Sequence, residues 1–262
     1  MKVHDVVIRK DVEQVDENDI VRILKRSSRE FDLFYHEERM EKLGEILWRI
    51  DPEIGPANKM RSITVNDVYG ISYPIIYMND PNISIEDVFI VAHEIMHCVL
   101  TQEGKSLAIY GNICKFANAE QGVKFASGFQ TMLEDSVVDS ILQNKYNFDA
   151  LGQYLKDLDL NKKEQWSEEP KEEAARIYMA FILANNIMKW NIINNRDSSN
   201  EWFAFLELYR SHYPHVSIIS DQLLSIVDEV GGLESIGQKK SVFFKISEKY
   251  NLEDILTINS PE

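Results

Sequence analysis

The chain is poor in cysteine and contains no long apolar run. Only two cysteines, Cys98 and Cys114, occur in 262 residues. Two cysteines in a chain of this size favour reduced thiols in a cytoplasm over a disulfide framework. No stretch approaches the roughly 18 apolar residues of a membrane-spanning helix, and residues 1–5 lead into charged positions without the apolar core of a signal peptide. We therefore expect a cytoplasmic protein with no membrane partner.

Positive charge is outnumbered by negative charge. The sequence has 28 Lys and Arg against 43 Asp and Glu, a formal net charge of -15. Such a surface repels phosphate groups, so nucleic acid and anionic membranes are not expected as main partners. The sequence also lacks a Gly-rich phosphate loop, a nucleophile elbow, a paired CxxC and an internal repeat. Its length is sufficient for one domain or for two tightly packed subdomains.

What the chain does contain is the pattern His-Glu-x-x-His, formed by His93, Glu94 and His97. Residues four apart share one face of a helix, so the two imidazoles are expected side by side. Two neutral imidazoles at this spacing can hold one divalent ion, usually zinc. The flanking residues in 90–99 are uncharged, which predicts a buried helix. Burying these polar groups is unfavourable unless they are paired or metal-bound, so the plain alternative is two hydrogen-bonded core histidines.

The segment 91–100 resembles the active-site helix of the zincin metallopeptidases, the zinc proteases that carry this motif. The resemblance covers the helix and, less closely, the segments beside it. It implies a hydrolase that cleaves peptide or protein substrates, with zinc held by His93 and His97. Glu94 would be the general base that takes a proton from a water on the metal. Two alternatives remain: a zincin-like protein that binds metal or a partner without cleaving, and a helical interaction protein with an accidental motif.

A third metal ligand is expected on a second helix, which the apolar spacing predicts over residues 129–142. Glu134 lies on or next to its apolar face, where an isolated carboxylate is unfavourable. The gluzincins, a subgroup of zincins, take their third ligand from such a Glu, so the resemblance implies that Glu134 completes the site. In that subgroup an Asp follows four positions later, but here Val138 does. Asp135 and Asp139 have that spacing instead, so Asp135 as ligand with Asp139 behind it stays open.

The resemblance also gives roles to two segments outside these helices. Pro74, inside the apolar run 70–79, predicts a strand at a sheet edge. Zincins pair the strand before the active-site helix with substrate, which implies β-augmentation along Ile75–Asn79; an ordinary edge strand is the alternative. In some gluzincins a His or Tyr from the helical C-terminal part stabilises the oxyanion of the tetrahedral intermediate, and His212, with Tyr209 and Tyr213 as alternatives, is the candidate here. The alternative is a solvated loop.

The remaining patterns predict an α+β fold, with a small N-terminal sheet carrying the active-site helix and a predominantly helical C-terminal part. Alternating β-branched residues predict a strand at Val3–Arg9. Apolar residues three and four apart predict a helix over residues 16–50 with a break near Ser27 and Ser28.

The active-site helix is predicted over residues 85–101, with Ser84 as its N-cap and Gly104 closing it. We place the boundary between subdomains near the polar stretch after residue 143. This gives a zincin-like α+β part, 1–143, that carries the metal site, and a helical part, 144–262.

Overall fold

The computed structural model describes residues 13–52, 59–66, 72–163, 167–193 and 200–259. The predicted strand Val3–Arg9 lies outside these residues. The described chain is α+β and forms two compact units, the first within Met1–Glu103 and Leu142–Asp149 and the second within Gly104–Ile141 and Ala150–Glu262. The units therefore do not divide the chain at a single point, and a domain boundary after residue 143 stays a prediction.

The first unit contains a small N-terminal sheet of four strands in the order β1-β2-β4-β3. β2 and β4 run parallel, and the two outer pairs are antiparallel. The prediction of an edge strand at residues 70–79 is wrong, because β4 pairs with β2 on one side and β3 on the other. Pro74 is tolerated since the register with β2 begins one residue later, at Ile75. The strands are β1, Gln14–Val15; β2, Leu47–Ile50; β3, Met60–Asn66; and β4, Ser72–Met78.

Three short helical segments precede β2. They are α1, Glu17–Ser27; α2, Arg29–Phe34; and a π-helical segment, Tyr35–Met40. The predicted break is confirmed, because the Ser28 hydroxyl accepts a hydrogen bond from the N–H of Phe31 and begins a new helix. The predicted continuation of the helix to residue 50 is wrong. Pairing of β2 with β4 outweighs the helical spacing of its apolar residues, since a short run of this kind fits either structure.

The helix that carries the motif is α3, Val88–Gln102. Ser84 and Asp87 form a capping box, in which the side chain of each residue accepts a hydrogen bond from the backbone N–H of the other. A 3-10 turn, Ile85–Asp87, leads into the helix. Gly104 follows the helix at a φ of 67°, a left-handed conformation that favours glycine. The predicted N-cap and stop signal are both confirmed. Within its unit, α3 packs against β3, β4 and the π-helical segment.

Over its described residues, the second unit is helical except for one pair of strands. Its core stacks Phe129 on Phe181 and Phe243, with ring centroids 4.5 and 5.4 Å apart. The sequence patterns do not predict the antiparallel pair β5–β6. Its elements are β5, Ala108–Gly111; α4, Ala119–Tyr146, whose last residues belong to the first unit; α5, Ala150–Lys163; α6, Glu173–Ile193; α7, Asn200–His212; α8, Pro214–Val230; α9, Ile236–Tyr250; and β6, Leu256–Asn259.

None of the helices in the described ranges combines the length and the apolarity needed to cross a bilayer. A close approach inside the second unit depends on Gly128 of α4. A β-carbon built at Gly128 would lie 2.7 Å from a ring carbon of Tyr178 on α6. The absence of a side chain there lets the tyrosine lie directly on the helix that also carries the carboxylates considered below.

Candidate metal centre

The two histidines of the motif lie together on α3. Their Nε2 atoms are 3.0 Å apart, and their ring centroids are 4.7 Å apart. The spacing of four residues therefore puts both imidazoles on one face, as the sequence predicts. Tetrahedral zinc bonded to two imidazoles at about 2.0–2.1 Å holds their nitrogens roughly 3.3 Å apart. The observed distance fits that ligand pair, and it also fits a hydrogen bond between two neutral imidazoles.

The helix around this pair is buried. His93 and Glu94 are both in the buried class, and so are their apolar neighbours on α3. Burial, followed by the charge of Glu94, raises the pKa of the Cys98 thiol. Cys98 therefore stays protonated and belongs to the core, as its position beside His97 predicts. The motif presents two imidazoles and one carboxylate, with His93 and Glu94 buried and His97 partly exposed.

Glu134 lies on α4 inside the second unit and is almost completely buried. Its Oε1 accepts a 2.7 Å hydrogen bond from the backbone N–H of Leu107. The Lys239 Nζ is 4.0 Å from the same oxygen, and the two side chains are 1% and 2% exposed. The side chain of Gln130 reaches the other oxygen at 3.4 Å. A buried carboxylate needs a partner, and a backbone amide and a lysine of the same unit provide it here.

Asp135 and Asp139, the pair with the alternative spacing, meet a different lysine. The Lys189 Nζ lies 3.6 Å from Asp135 Oδ2 and 3.3 Å from Asp139 Oδ2. The Asn185 amide donates to Asp135 Oδ2 at 3.3 Å, and the Tyr154 hydroxyl donates to Asp139 Oδ2 at 2.6 Å. Burial alone would lower the pKa of Lys189, but the two carboxylates outweigh it and raise that pKa. The ammonium is therefore held in its charged form.

Sequence reasoning missed Lys189, Asn185 and Tyr154. A signal was present, because Lys189 is the only charged residue in the largely apolar run 177–190. A lone buried lysine needs a carboxylate, and the spacing of Asp135 and Asp139 offers two. The pairing itself depends on how α4, α5 and α6 pack, which periodicity does not specify.

His212 lies in the last turn of α7, in the second unit, and its side chain is exposed. Its Nδ1 is 3.1 Å from the carbonyl oxygen of Leu208 and 3.4 Å from the hydroxyl of Ser211. These contacts are local to the end of the helix. The role of His212 in stabilising an oxyanion stays a prediction.

Comparisons with protein families, with curated proteins and with solved structures find no match to this chain. The chemistry of the site is therefore argued from its own residues. Two imidazoles with converging nitrogens suit a borderline metal such as zinc, and a neighbouring carboxylate suits proton transfer.

Proposed function

We propose that the chain is a zinc-dependent hydrolase of peptide bonds. The observation that supports the proposal best is the 3.0 Å approach of the His93 and His97 Nε2 atoms on a buried helix that also carries Glu94. A pair of imidazoles arranged in this way, followed by one carboxylate in the adjacent position, is the arrangement that metal-assisted hydrolysis uses. The resemblance of this helix to that of the zincins agrees with the proposal.

For the third protein ligand, the proposal takes a carboxylate of α4 and prefers Asp135 to Glu134. An aspartate carboxylate is a ligand that zinc accepts beside two imidazoles. Glu134 remains the alternative that the sequence favours. The preference rests on the contacts of Glu134, whose Oε1 already holds a backbone N–H and faces the ammonium of a buried lysine. Moving it to a metal would leave the N–H without its acceptor and the ammonium without its counter-charge.

A bound zinc ion supplies Lewis acidity, which lowers the pKa of water and polarises a substrate carbonyl. The chain's own residues supply the rest of the proposed reaction. Glu94 accepts the proton that water loses as it attacks the carbonyl carbon, and then donates that proton to the leaving nitrogen as the peptide bond breaks. His93 and His97 act only as ligands.

The first experiment measures metal content. The purified chain is stripped with a chelator, offered zinc, and measured by plasma mass spectrometry beside His93→Ala, Glu134→Ala and Asp135→Ala. The proposal expects one zinc per chain, lost in His93→Ala and Asp135→Ala and kept in Glu134→Ala. Zinc lost in Glu134→Ala but kept in Asp135→Ala would move the third ligand to Glu134. A parent chain that takes up no zinc would leave the histidines as a hydrogen-bonded core pair.

The second experiment tests the reaction. Glu94→Gln removes the proton acceptor and keeps the size of the side chain. It should retain zinc and lose at least about 100-fold in kcat on a panel of peptides, because general-base catalysis contributes that much or more. A chelator-treated parent is the control for background proteolysis. Turnover by Glu94→Gln near the parent rate would exclude Glu94 as the base.

One observation favours a second candidate, a zinc-binding protein that does not cleave. The strand expected to receive substrate, β4, has both of its edges occupied by β2 and β3. Such a chain would bind one zinc and lose it in His93→Ala, yet show no chelator-sensitive hydrolysis on any peptide in the panel. The two experiments together therefore separate the enzyme, the non-catalytic zinc protein and the chain with no metal.

A further inference from the structure

A surface groove of about 410 Å³ lies on the first unit. One wall is the end of α1, and the other is α2 with the π-helical segment that continues it. The two apolar residues of the lining, Leu33 and Met40, are 50% and 60% exposed. The groove is therefore open to a partner. Its lining residues, all exposed, are Lys25, Arg29, Asp32, Leu33, His36 and Met40.

Four of the lining residues follow one side of a continuous helical stretch. Residues 29–42 run without a break from α2 through the π-helical segment. The four lie three or four positions apart, about one turn each, so they form a row. Leu33 and Met40 are two turns apart, which is roughly 10 Å along the axis. A helix that binds in a groove presents its apolar side chains at the same separation, at i and i+7. The row is Arg29, Leu33, His36 and Met40.

The cations of the groove are only loosely held by their neighbours. The Lys25 Nζ lies 3.8 Å from Asp32 Oδ1 and 4.7 Å from the centroid of the Tyr35 ring. Asp32 is the single carboxylate of the lining. The Arg29 guanidinium makes no hydrogen bond or ion pair with the described part of the chain. Because exposed pairs at such distances contribute little to stability, Lys25 and Arg29 are available to carboxylates of a partner.

The positive charge at this place contrasts with the whole chain. The run 22–29 contains four cations and no Asp or Glu, while the full sequence has 28 Lys and Arg against 43 Asp and Glu. Opposite charge on two surfaces steers their association and selects the partner. An acidic surface is therefore complementary to this one, and the exposed apolar pair requires apolar side chains beside the acids. The four cations are Arg22, Lys25, Arg26 and Arg29.

We propose that this groove binds an acidic amphipathic helix of a partner protein. Apolar side chains two turns apart on the partner contact Leu33 and Met40, and carboxylates beside them pair with Lys25 and Arg29. Met40 suits this role because a flexible thioether adapts to apolar surfaces of different shape. The inference does not rest on the proposed hydrolase, since binding in the groove needs neither a metal nor a reaction.

The test uses a fluorescein-labelled synthetic helix of about 18 residues, roughly five turns long. It carries Leu in one stripe and Glu on both sides of that stripe. Fluorescence anisotropy measures its binding to the full chain at 0.15 M salt, where the Debye length of about 8 Å screens distant charges. Two control peptides accompany it, one of the same composition in scrambled order and one with Lys in place of Glu. The ordered acidic peptide should bind at least about tenfold more tightly than either control.

Two matched pairs of variants locate the binding site. Arg29→Glu and Arg26→Glu change the net charge equally, but only Arg29 lines the groove. Leu33→Ser and Ile23→Ser each remove one exposed apolar side chain, and only Leu33 lines the groove. We expect about a tenfold or greater loss of affinity in Arg29→Glu and Leu33→Ser. The two control variants should stay within about threefold of the parent. Circular dichroism checks each fold, and Arg29→Gln replaces Arg29→Glu if the latter does not fold.

Several results would overturn the proposal. The first is equal binding of the ordered and scrambled peptides, and the second is an equal loss in Arg29→Glu and Arg26→Glu, which would indicate general charge attraction. Phosphatidylglycerol–phosphatidylcholine vesicles test a lipid surface: binding to them that Arg29→Glu abolishes, without binding of the peptide, would make the face a membrane contact. A dimer of the parent in sedimentation that Leu33→Ser dissociates would make the occupant a second copy. Tighter binding of the ordered acidic peptide, lost in both groove variants and kept in both controls, supports the proposal.

Discussion

Two buried lysines of the second unit, Lys239 and Lys189, meet the same helix and behave differently. Lys239 has one carboxylate, Glu134, at 4.0 Å, and its Nζ donates to the carbonyl of Lys105 at 2.8 Å. Burial lowers the pKa of Lys239, and the charge of Glu134 only partly opposes this. Lys189 has two carboxylates, at 3.3 and 3.6 Å, and its pKa is raised in spite of burial.

The difference shows that the number and distance of carboxylates decide the state of a buried lysine. A single carboxylate at 4.0 Å does not replace the hydration that Lys239 loses, so Lys239 and Glu134 form a sealed structural pair. Two closer carboxylates more than replace that hydration for Lys189. The two carboxylates near Lys189 leave a net negative charge, whereas the single carboxylate near Lys239 balances its ammonium.

The largest effect is expected when the structural pair is broken. Glu134→Ala leaves the Leu107 N–H without its acceptor and the buried Lys239 ammonium without its counter-charge, and it should lower the free energy of unfolding by about 3 kcal/mol. Asp135→Ala, in the more exposed cluster, should lower it by about 1 kcal/mol or less. Urea denaturation of the metal-free chains measures both. Glu134→Gln, which keeps one acceptor oxygen, is the control and should lose about 1 kcal/mol.

Equal losses in Glu134→Ala and Asp135→Ala would break the comparison. They would mean that the two carboxylates make similar net contributions to the free energy of unfolding, in spite of their different partners.

An intermediate effect is expected at Glu38 in the first unit. This buried carboxylate has several close partners, so the link between the number of partners and the pKa can be tested there at acid pH. Although burial opposes ionisation, hydrogen bonds from Lys145, Lys42 and Tyr146 lower the pKa of Glu38 to about 2. Its contribution to stability is therefore present above the ordinary pKa of 4.5 and is lost as the pH falls toward 2.

We expect Glu38→Gln to lose about 2 kcal/mol near pH 7, less than the full shift implies because Lys145 is half exposed and its charge is screened. The gap between parent and variant should shrink between pH 4.5 and 2. Urea denaturation across that range measures it, and a gap that does not change with pH would show that Glu38 contributes through packing alone.

The smallest effect is expected at high pH, where the contributions of Lys239 and Lys189 to the free energy of unfolding should change in opposite directions. Because the pKa of Lys239 is lowered in the fold, the unfolded chain binds more protons below pH 10.5, and the contribution of Lys239 to stability rises as the pH approaches 10.5. The pKa of Lys189 is raised, so its contribution is full below pH 10.5 and is lost above it.

Unfolding free energies of the parent, Lys239→Met and Lys189→Met between pH 8 and 11.5 check these opposite signs. The unfolding free energy of the parent minus that of Lys239→Met should rise by about 1 kcal/mol up to pH 10.5. The corresponding difference for Lys189→Met should fall by a similar amount above that pH. Gaps with the same slope would contradict the distinction between the pairs.

Local signals in the sequence predict much of this fold. Ser84 and Gly104 bound the helix that carries the motif because capping and left-handed turns depend on a few adjacent residues. The break at Ser28 is predicted for the same reason. The side-by-side histidines follow from helix geometry alone, since four residues make about one turn.

What the sequence did not predict depends on pairing between distant segments. Leu47–Ile50 has helical spacing but forms a strand because β4 offers it an edge. Ala108–Gly111 pairs with Leu256–Asn259, nearly the whole unit away along the chain. The partners of Glu134 and Asp135 likewise come from α9 and α6, and apolar periodicity does not specify which buried lysine meets which carboxylate.

The pairing of β5 with β6 affects the order in which the second unit can fold. β6 is synthesised after every other element of that unit. On the ribosome, β5 therefore remains unpaired until α4 to α9 have been synthesised. Residues 104–107 lead directly into β5, and Leu107 is tied to Glu134 of α4. This pairing of distant segments is thus coupled to the helix that bears the carboxylates, and we expect it to form late and slowly. A chain interrupted before Leu256 would leave β5 as an unpaired edge, open to association with another copy.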